Sequence, residues 1–307
     1  METSKIGRAR LRRLFCAGLL TLCITTQALA EESFYRVRIC GKVGFIDKQG
    51  RLVVQPAFDF ARRFQDGLAP VKVGEKWGYI DHQGKFVIKP QYEETRMFTS
   101  GIAPVRVGDR WGFINHKNEF VIPPQFEAAR SFAEPGDGMG NTARVLLNGR
   151  WHLIDDKGHD ILPRDFDDMG GPVEEGVIPV MERGLWGYIN RKGEYVLKPQ
   201  FQGAEAFTSG VAAVKRNGHW CFINHSGEVV IPCLYDDTHE MFEDTAAVKV
   251  GSEWGYINKL GKVVIEFKFK DAQKFLDGLS EVVAETGSAV IDHDGNYVWA
   301  PGAECSR

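Results

Sequence analysis

The sequence predicts an all-β tandem-repeat protein, and three observations predict it. A five-residue phrase recurs eight times along 307 residues, most often at a spacing of 34. Apolar and polar residues alternate with period two around each phrase, the signature of strands with one buried face. Each phrase ends on an Asx residue followed three positions later by a turn residue. Together these give eight units, each read as a three-stranded antiparallel meander.

Residues 1–30 stand apart from the repeats. Lys5, Arg8, Arg10, Arg12 and Arg13 precede an apolar run from Leu14 to Ile24, and Ala28-Leu29-Ala30 precedes Glu31-Glu32. This is the three-part layout of a secretory signal with cleavage after Ala30. The run is shorter than the ~20 residues a membrane helix needs. Arg12-Arg13-Leu14-Phe15 also resembles a twin-arginine export signal. No second long apolar stretch follows, so the domain of residues 31–307 is expected to lack a membrane span and to be periplasmic or secreted.

The units follow in order. Their phrases are Val43-Gly44-Phe45-Ile46-Asp47, Trp77-Gly78-Tyr79-Ile80-Asp81, Trp111-Gly112-Phe113-Ile114-Asn115 and the worn Trp151-His152-Leu153-Ile154-Asp155. Then come Trp186-Gly187-Tyr188-Ile189-Asn190, Trp220-Cys221-Phe222-Ile223-Asn224, Trp254-Gly255-Tyr256-Ile257-Asn258 and Ser288-Ala289-Val290-Ile291-Asp292. The one long gap, 40 residues between Trp111 and Trp151, places an insertion near residues 133–140. In the second unit, Ala69, Val71 and Val73 share one face of a first strand. Trp77 to Asp81 forms the second strand, and Lys85 to Lys89 the third, stopped by Pro90. Gly84 closes the turn between them, and Asn118 takes its place in the third unit, consistent with a left-handed backbone there. An aromatic follows each third strand (Phe58, Tyr92, Phe126, Phe166, Phe201, Tyr235, Phe269), and a second apolar residue usually follows six later. That linker is read as one helical turn plugging the seam between units, broken at Pro172 in the fourth.

Glu75-Lys76-Trp77-Gly78-Tyr79-Ile80-Asp81, Gly84 and Val87-Ile88-Lys89-Pro90-Gln91-Tyr92 resemble the WG repeat, also called the KWG repeat. The resemblance covers about residues 34–301. It departs at the first and last units, which lack Trp, and at His152 and Cys221, which replace Gly. It implies a mostly bacterial, often exported interaction module, and carries no catalytic residue across.

Two global forms fit eight meanders. The chain begins on a first strand and ends after a third, leaving no split unit to fasten a ring. Thirty-four residues is also short beside a usual propeller blade of about 40–45. An open superhelical array is therefore preferred over a closed propeller-like ring.

Composition narrows the function. With 38 Lys and Arg against 41 Asp and Glu, and five of the basic groups in the leader, the chain lacks the basic surplus of a nucleic-acid binder. No GxSxG elbow, P-loop, HExxH or nucleotide fingerprint occurs, so no catalytic residue, cofactor or metal site is assigned. His82, His116, His225 and His293 share one turn position and are read as solvated turn residues, since zinc needs three or four convergent ligands.

Three candidate columns remain. Trp77, Trp111, Trp151, Trp186, Trp220 and Trp254 are read as repeat core in preference to sugar-stacking platforms. Arg38, Lys72, Arg106, Lys215 and Lys249 form a basic column five residues before the Trp position, a candidate binding face for an anionic polymer or phosphorylated glycan. Asp59, Glu93, Glu127, Asp167 and Asp236 form an acidic column; the competing reading is that the two columns face and neutralise each other. Cys221–Cys233 and Cys40–Cys305 are possible disulfides, the second requiring the chain ends to meet.

The leading expectation is an exported, non-enzymatic module that holds a protein or glycan of the cell envelope. A secreted protein–protein scaffold or virulence-type factor is the alternative. A hydrolase built in the atypical fourth unit on His152, His159 and Asp160 is the second.

Overall fold

The computed structural model describes residues 33–133, 141–171 and 175–300. The expected signal segment, Pro172, Cys305 and all of the expected insertion except Ala133 lie outside the described residues. Among the described residues every regular element is a strand.

The second repeat shows how the sequence builds its sheet. Phe60–Ala61, Ala69–Val73, Lys76–Ile80 and Phe86–Tyr92 pair antiparallel in that order. The expected Asx turn joins the last two: the Asp81 carboxylate accepts the N–H groups of Gln83 (3.0 Å) and Lys85 (2.9 Å). Asn118 adopts a φ of 65° at the closing position, as its place in the pattern required.

Eight such sheets stand around one axis as the blades of a β-propeller. Blade 1 is Tyr35–Ile39, Lys42–Ile46 and Leu52–Phe58; blade 8 ends with Tyr297–Trp299. Six blades have four strands, and blades 1 and 4 have three. The expected three-stranded unit is thus incomplete. The linker read as a helical turn begins with a two-residue strand: Phe60–Ala61, Glu94–Thr95, Ala128–Ala129, Asp168–Met169, Asp237–Thr238 and Asp271–Ala272, lengthened to Gly203–Thr208 in blade 6. Each supplies the innermost strand of the next blade. A strand this short explains how 34 residues suffice.

The array is closed, which corrects the open superhelix. Eight apolar clusters fill eight seams. Between blades 2 and 3, Tyr79, Ile88, Phe98, Val105 and Ile114 pack together. Between the last blade and the first, Leu279 and Val290 pack on Tyr35, Val37 and Ile46. A fully buried side chain of this size is worth about 1.5–3 kcal/mol, so each seam is a small core. Polar bonds reinforce the closing seam: Tyr35 Oη donates to the Leu276 carbonyl (2.9 Å), and Arg36 pairs with Glu281. No split unit is available for strand exchange, the usual fastening of such a ring. The ring closes through side chains instead.

One further feature recurs in the outer half of the blades. Trp77 faces Tyr92 while Tyr79 faces Ile88, so three outer residues oppose the single Gly78. This is a β-bulge. It presses the outer strand's backbone onto the glycine, and the same register break occurs at Gly44, Gly112, Gly187 and Gly255. Cys221 occupies that place in blade 6 and is disulfide-bonded to Cys233, which holds the position Pro90 has in blade 2. Cys40 is also disulfide-bonded. In blade 4 the place is taken by His152, and the outer strand is reduced to isolated bridges, Trp151 with Phe166 and Ile154 with Asp160.

Candidate functional site: an arginine-lined axial cavity

The inner strands continue as extended segments that line an axial cavity of about 600 Å³. Six of the eight blades contribute to its wall. Its charged lining is Arg62, Arg63, Arg96, Arg130, Arg144 and Lys274, with Glu175 as the acidic member. Arg62, Arg96 and Arg130 occupy one repeat position, four residues after Phe58, Tyr92 and Phe126. Later blades carry Gly170, Glu205, His239 and Gln273 there. The basic arc is therefore confined to blades 2 to 4.

Local structure fixes these guanidinium groups. Arg62 Nε donates to the Thr95 carbonyl (3.1 Å), and Arg96 Nε to the Ala129 carbonyl (3.0 Å). Arg36 Nη1 donates to Ala61 (3.3 Å), and Arg144 Nη1 to Met169 (3.1 Å). All four acceptors are the second residue of the next blade's innermost strand. One arginine per blade thus staples blades 1 to 5 in sequence. Tyr79, Tyr188 and Tyr256 add parallel bonds by donating to the carbonyls of Arg96, Glu205 and Gln273.

The indole rings lie behind the arginines. The guanidinium carbons of Arg62, Arg96 and Arg130 stand 5.2, 5.3 and 5.7 Å from the ring centres of Trp77, Trp111 and Trp151, within cation–π range. His239 stacks on Trp254 at 5.1 Å. A Cβ on Gly170 would touch Trp186 at 3.0 Å, and one on Gly203 would touch Trp220 at 2.9 Å. Trp77, Trp111, Trp151 and Trp254 are buried, and Trp186 and Trp220 are half-buried.

Charge is poorly balanced in the cavity. Burial first, and then the neighbouring Arg130 and Arg62 charges, together lower Arg96 to about 10. Burial and the Arg130 charge together likewise bring Arg144 to about 10. Among the described residues neither Arg96, Arg130 nor Arg144 forms a salt bridge. Acids collect on the other side of the axis. Lys274 Nζ is 2.7 Å from Glu240, and burial together with the Glu240 charge pushes Glu205 up to about 7.

The Glu205 shift has a definite sign. Its folded value lies above the ordinary 4.5, so the stability it contributes is full below pH 4.5 and is lost as pH rises through 7. Glu205→Gln should raise stability at pH 8 by about 1–3 kcal/mol, at 1.4 kcal/mol per unit, and change little near pH 4.5. Urea unfolding of both proteins at the two pH values measures this; an equal difference at both would refute the burial account.

The predicted charge columns sit elsewhere, at the face holding the hairpin turns such as Gly74-Glu75, which joins Ala69–Val73 to Lys76–Ile80. Lys72, Arg106, Lys215 and Lys249 stand directly opposite the tryptophans in register, and Arg38 opposite Val43. The acidic column meets a different set of cations. Asp59 pairs with Lys42, Glu93 with Lys76 (2.8 Å), Glu127 with Arg110 (3.7 Å) and Asp167 with Arg150. The acids also accept turn N–H groups, as Asp59 does from Gly74 (2.7 Å) and Asp236 from Gly251 (2.6 Å). The Lys42 bond and then the Gly74 bond lower Asp59 below the usual carboxylate range. Arg106 lies 4.0 Å from Glu94. Lys72, Lys215 and Lys249 have no ion pair among the described residues.

The turn histidines are held by the opposite face. His116, His225 and His293 pack on Phe98, Phe207 and Phe275 and lie 3.5, 3.2 and 3.1 Å from Asp66, Glu175 and Glu243. Among the described residues no group of three metal-ligating side chains occurs. In blade 4, His152 Nδ1 is 3.0 Å from Asp160, and His159 Nδ1 is 3.2 Å from Asp155. The arginine column is not among the columns expected from the sequence, which flank the tryptophans. Its signal was present, as three arginines at matched repeat positions.

Residues 44–77, 77–111, 111–151, 153–186, 186–220, 220–254 and 254–283 match the model of a family described as WG containing repeat. No curated protein matches the chain. Among solved structures, the dihydro-heme d1 dehydrogenase NirN in complex with DHE aligns with a TM-score of 0.59 and 13% identity, over 87% of this chain and 72% of that one. A eukaryotic initiation factor aligns with a TM-score of 0.58 and 8% identity, over 87% and 84%. PorZ, a bacterial surface component of the type-IX secretion system of Porphyromonas gingivalis, aligns with a TM-score of 0.50 and 7% identity, over 88% and 39%. At these identities the likeness is one of fold.

Proposed function

We propose, since the chain belongs to the WG-repeat family, that it is an exported, non-enzymatic interaction module holding a protein or glycan of the bacterial cell envelope. The observation that carries this reading is the placement, on a closed ring, of lysines that have no ion pair among the described residues. Lys72, Lys215 and Lys249 project from one face at the same height in their blades, and the nearby acids are engaged by other cations. A closed ring of packed blades offers such a face without paying the ordering entropy of a flexible binder. Export rests on the leader-like first thirty residues.

The test is affinity capture from an envelope extract, with salt varied in the wash. A specific partner should be retained at low salt and released at moderate salt, because exposed charges are screened over about 8–10 Å. Lys72→Glu combined with Lys249→Glu should cut capture several-fold. No specific partner, or capture indifferent to both salt and charge reversal, would remove this reading. The hydrolase reading draws only on the contacts of His152 and His159 with acids, and neither imidazole hydrogen-bonds a hydroxyl or thiol among the described residues.

A further inference from the structure

We propose that the axial cavity is a binding site for a compact polyanion, a small molecule carrying two or more phosphate or carboxylate groups. The site differs from the lysine face above in residues and in place, so it stands whether or not an envelope partner is captured.

Donor accounting comes first. A guanidinium carries five N–H donors. The Arg96 and Arg144 guanidinium groups each use one on a backbone carbonyl, and the Arg130 guanidinium makes no hydrogen bond among the described residues. These three and Arg62 all reach one cavity. Their remaining forks are suited to bidentate recognition of phosphate or carboxylate.

Charge comes second. The wall holds six cations and Glu175. Glu240 answers Lys274, while His225 (3.2 Å) and the Gly210 N–H (2.9 Å) engage Glu175. Glu94 lies 3.4 Å from Arg62, and among the described residues Arg96, Arg130 and Arg144 have no ion pair. Stapling neighbouring blades requires only one donor per blade, and the tyrosines of blades 2, 5 and 7 do the same work without charge. Crowding like charges around an axis weakens the ring, so stapling alone does not account for arginine here. A bound polyanion would reverse that repulsion.

Size comes third. A volume of about 600 Å³ falls within the 300–1,000 Å³ of small-molecule sites. It accommodates a compact ligand rather than a folded domain. Tryptophan rings floor the arginines and hold their planes, which limits the side-chain entropy lost on binding.

The experiment is calorimetric titration of the full chain with tripolyphosphate and, separately, with citrate. Binding of either, weakening with salt, is expected, and the tighter of the two identifies phosphate or carboxylate as the recognised group. Arg130→Ala should weaken binding tenfold or more. The Arg130 side chain is exposed and its contact with the Trp151 ring is a long one (5.7 Å), so this variant should melt within about 3 °C of the wild type. Lys117→Ala, on an exposed outer turn, should bind as the wild type does. Absence of binding by both anions at millimolar concentration would overturn the proposal, as would equal affinities in the Arg130 and Lys117 variants.

Discussion

Gly78→Ala should destabilise the protein by about 3–5 kcal/mol, among the larger losses a single methyl group can cause. A Cβ at this position would lie 2.4 Å from the Ile88 carbonyl oxygen and 2.7 Å from the Pro90 nitrogen. Both are backbone atoms of the bulged outer strand, so no side-chain rotation relieves the clash. The outer strand must lift away, exposing the seam beneath Tyr79 and Ile88. At about 2–4 °C per kcal/mol for a chain of this size, the melting temperature should fall by about 10 °C. Gly67→Ala is the control. It has a φ of 77° but no atom within 4 Å of a new Cβ, so it should cost only about 1–2 kcal/mol of backbone strain. Equal losses in the two variants would refute the bulge explanation. The repeat itself supports it. Where glycine is replaced by Cys221, the clashing pair of positions becomes a covalent bond to Cys233. Where it is replaced by His152, the outer strand is reduced to isolated bridges, and where Ala289 holds the position the outer strand spans only Tyr297–Trp299 among the described residues.

The second large effect is expected at the closing seam. Glu281→Ala should cost about 2–3 kcal/mol, somewhat below the 3–5 of a fully buried broken pair, because both partners retain some solvent contact (30% and 22% for the side chains). Glu281 accepts from both the backbone N–H (2.9 Å) and Nε (3.0 Å) of Arg36. Its loss leaves a half-buried guanidinium uncompensated between the first and last blades. Amide exchange should accelerate in Tyr35–Ile39 and Leu279–Ala284 while the seam between blades 2 and 3 keeps its protection. The swap Arg36→Glu with Glu281→Arg should recover part of the loss. Unchanged exchange at those two strands would mean that the apolar contacts alone close the ring.

Much of this architecture was legible in the residues. The eight units, the Asx turns and even Asn118 in its left-handed place follow from spacing and turn chemistry. The innermost strands did not, because two residues are too few for any period to register, and their flanking phenylalanines sit at helix-like intervals. Closure does leave a mark in the sequence. The position before the buried valine of each first strand holds Pro70, Pro104, Pro179, Ala213 and Ala247, but Arg36 at one end of the array and Glu281 at the other. Opposite charges in one otherwise apolar column, at opposite ends, mark a pair. Arg144 departs in the same column and becomes a cavity cation. The cavity was hidden for a different reason. Its arginines are spaced like repeat elements, and only curvature about an axis brings them to a common centre.

The connectivity of the blades has a mechanical consequence. Seven seams are crossed by the chain, and the eighth is held by side chains such as Tyr35, Arg36 and Glu281. Tension applied to the two ends would load that seam first and peel it, after which blades would come away singly from either end. A covalent link from Cys40 across the same seam, to the expected Cys305, would turn a riveted band into a hoop. The force would then be shared by all eight joints at once.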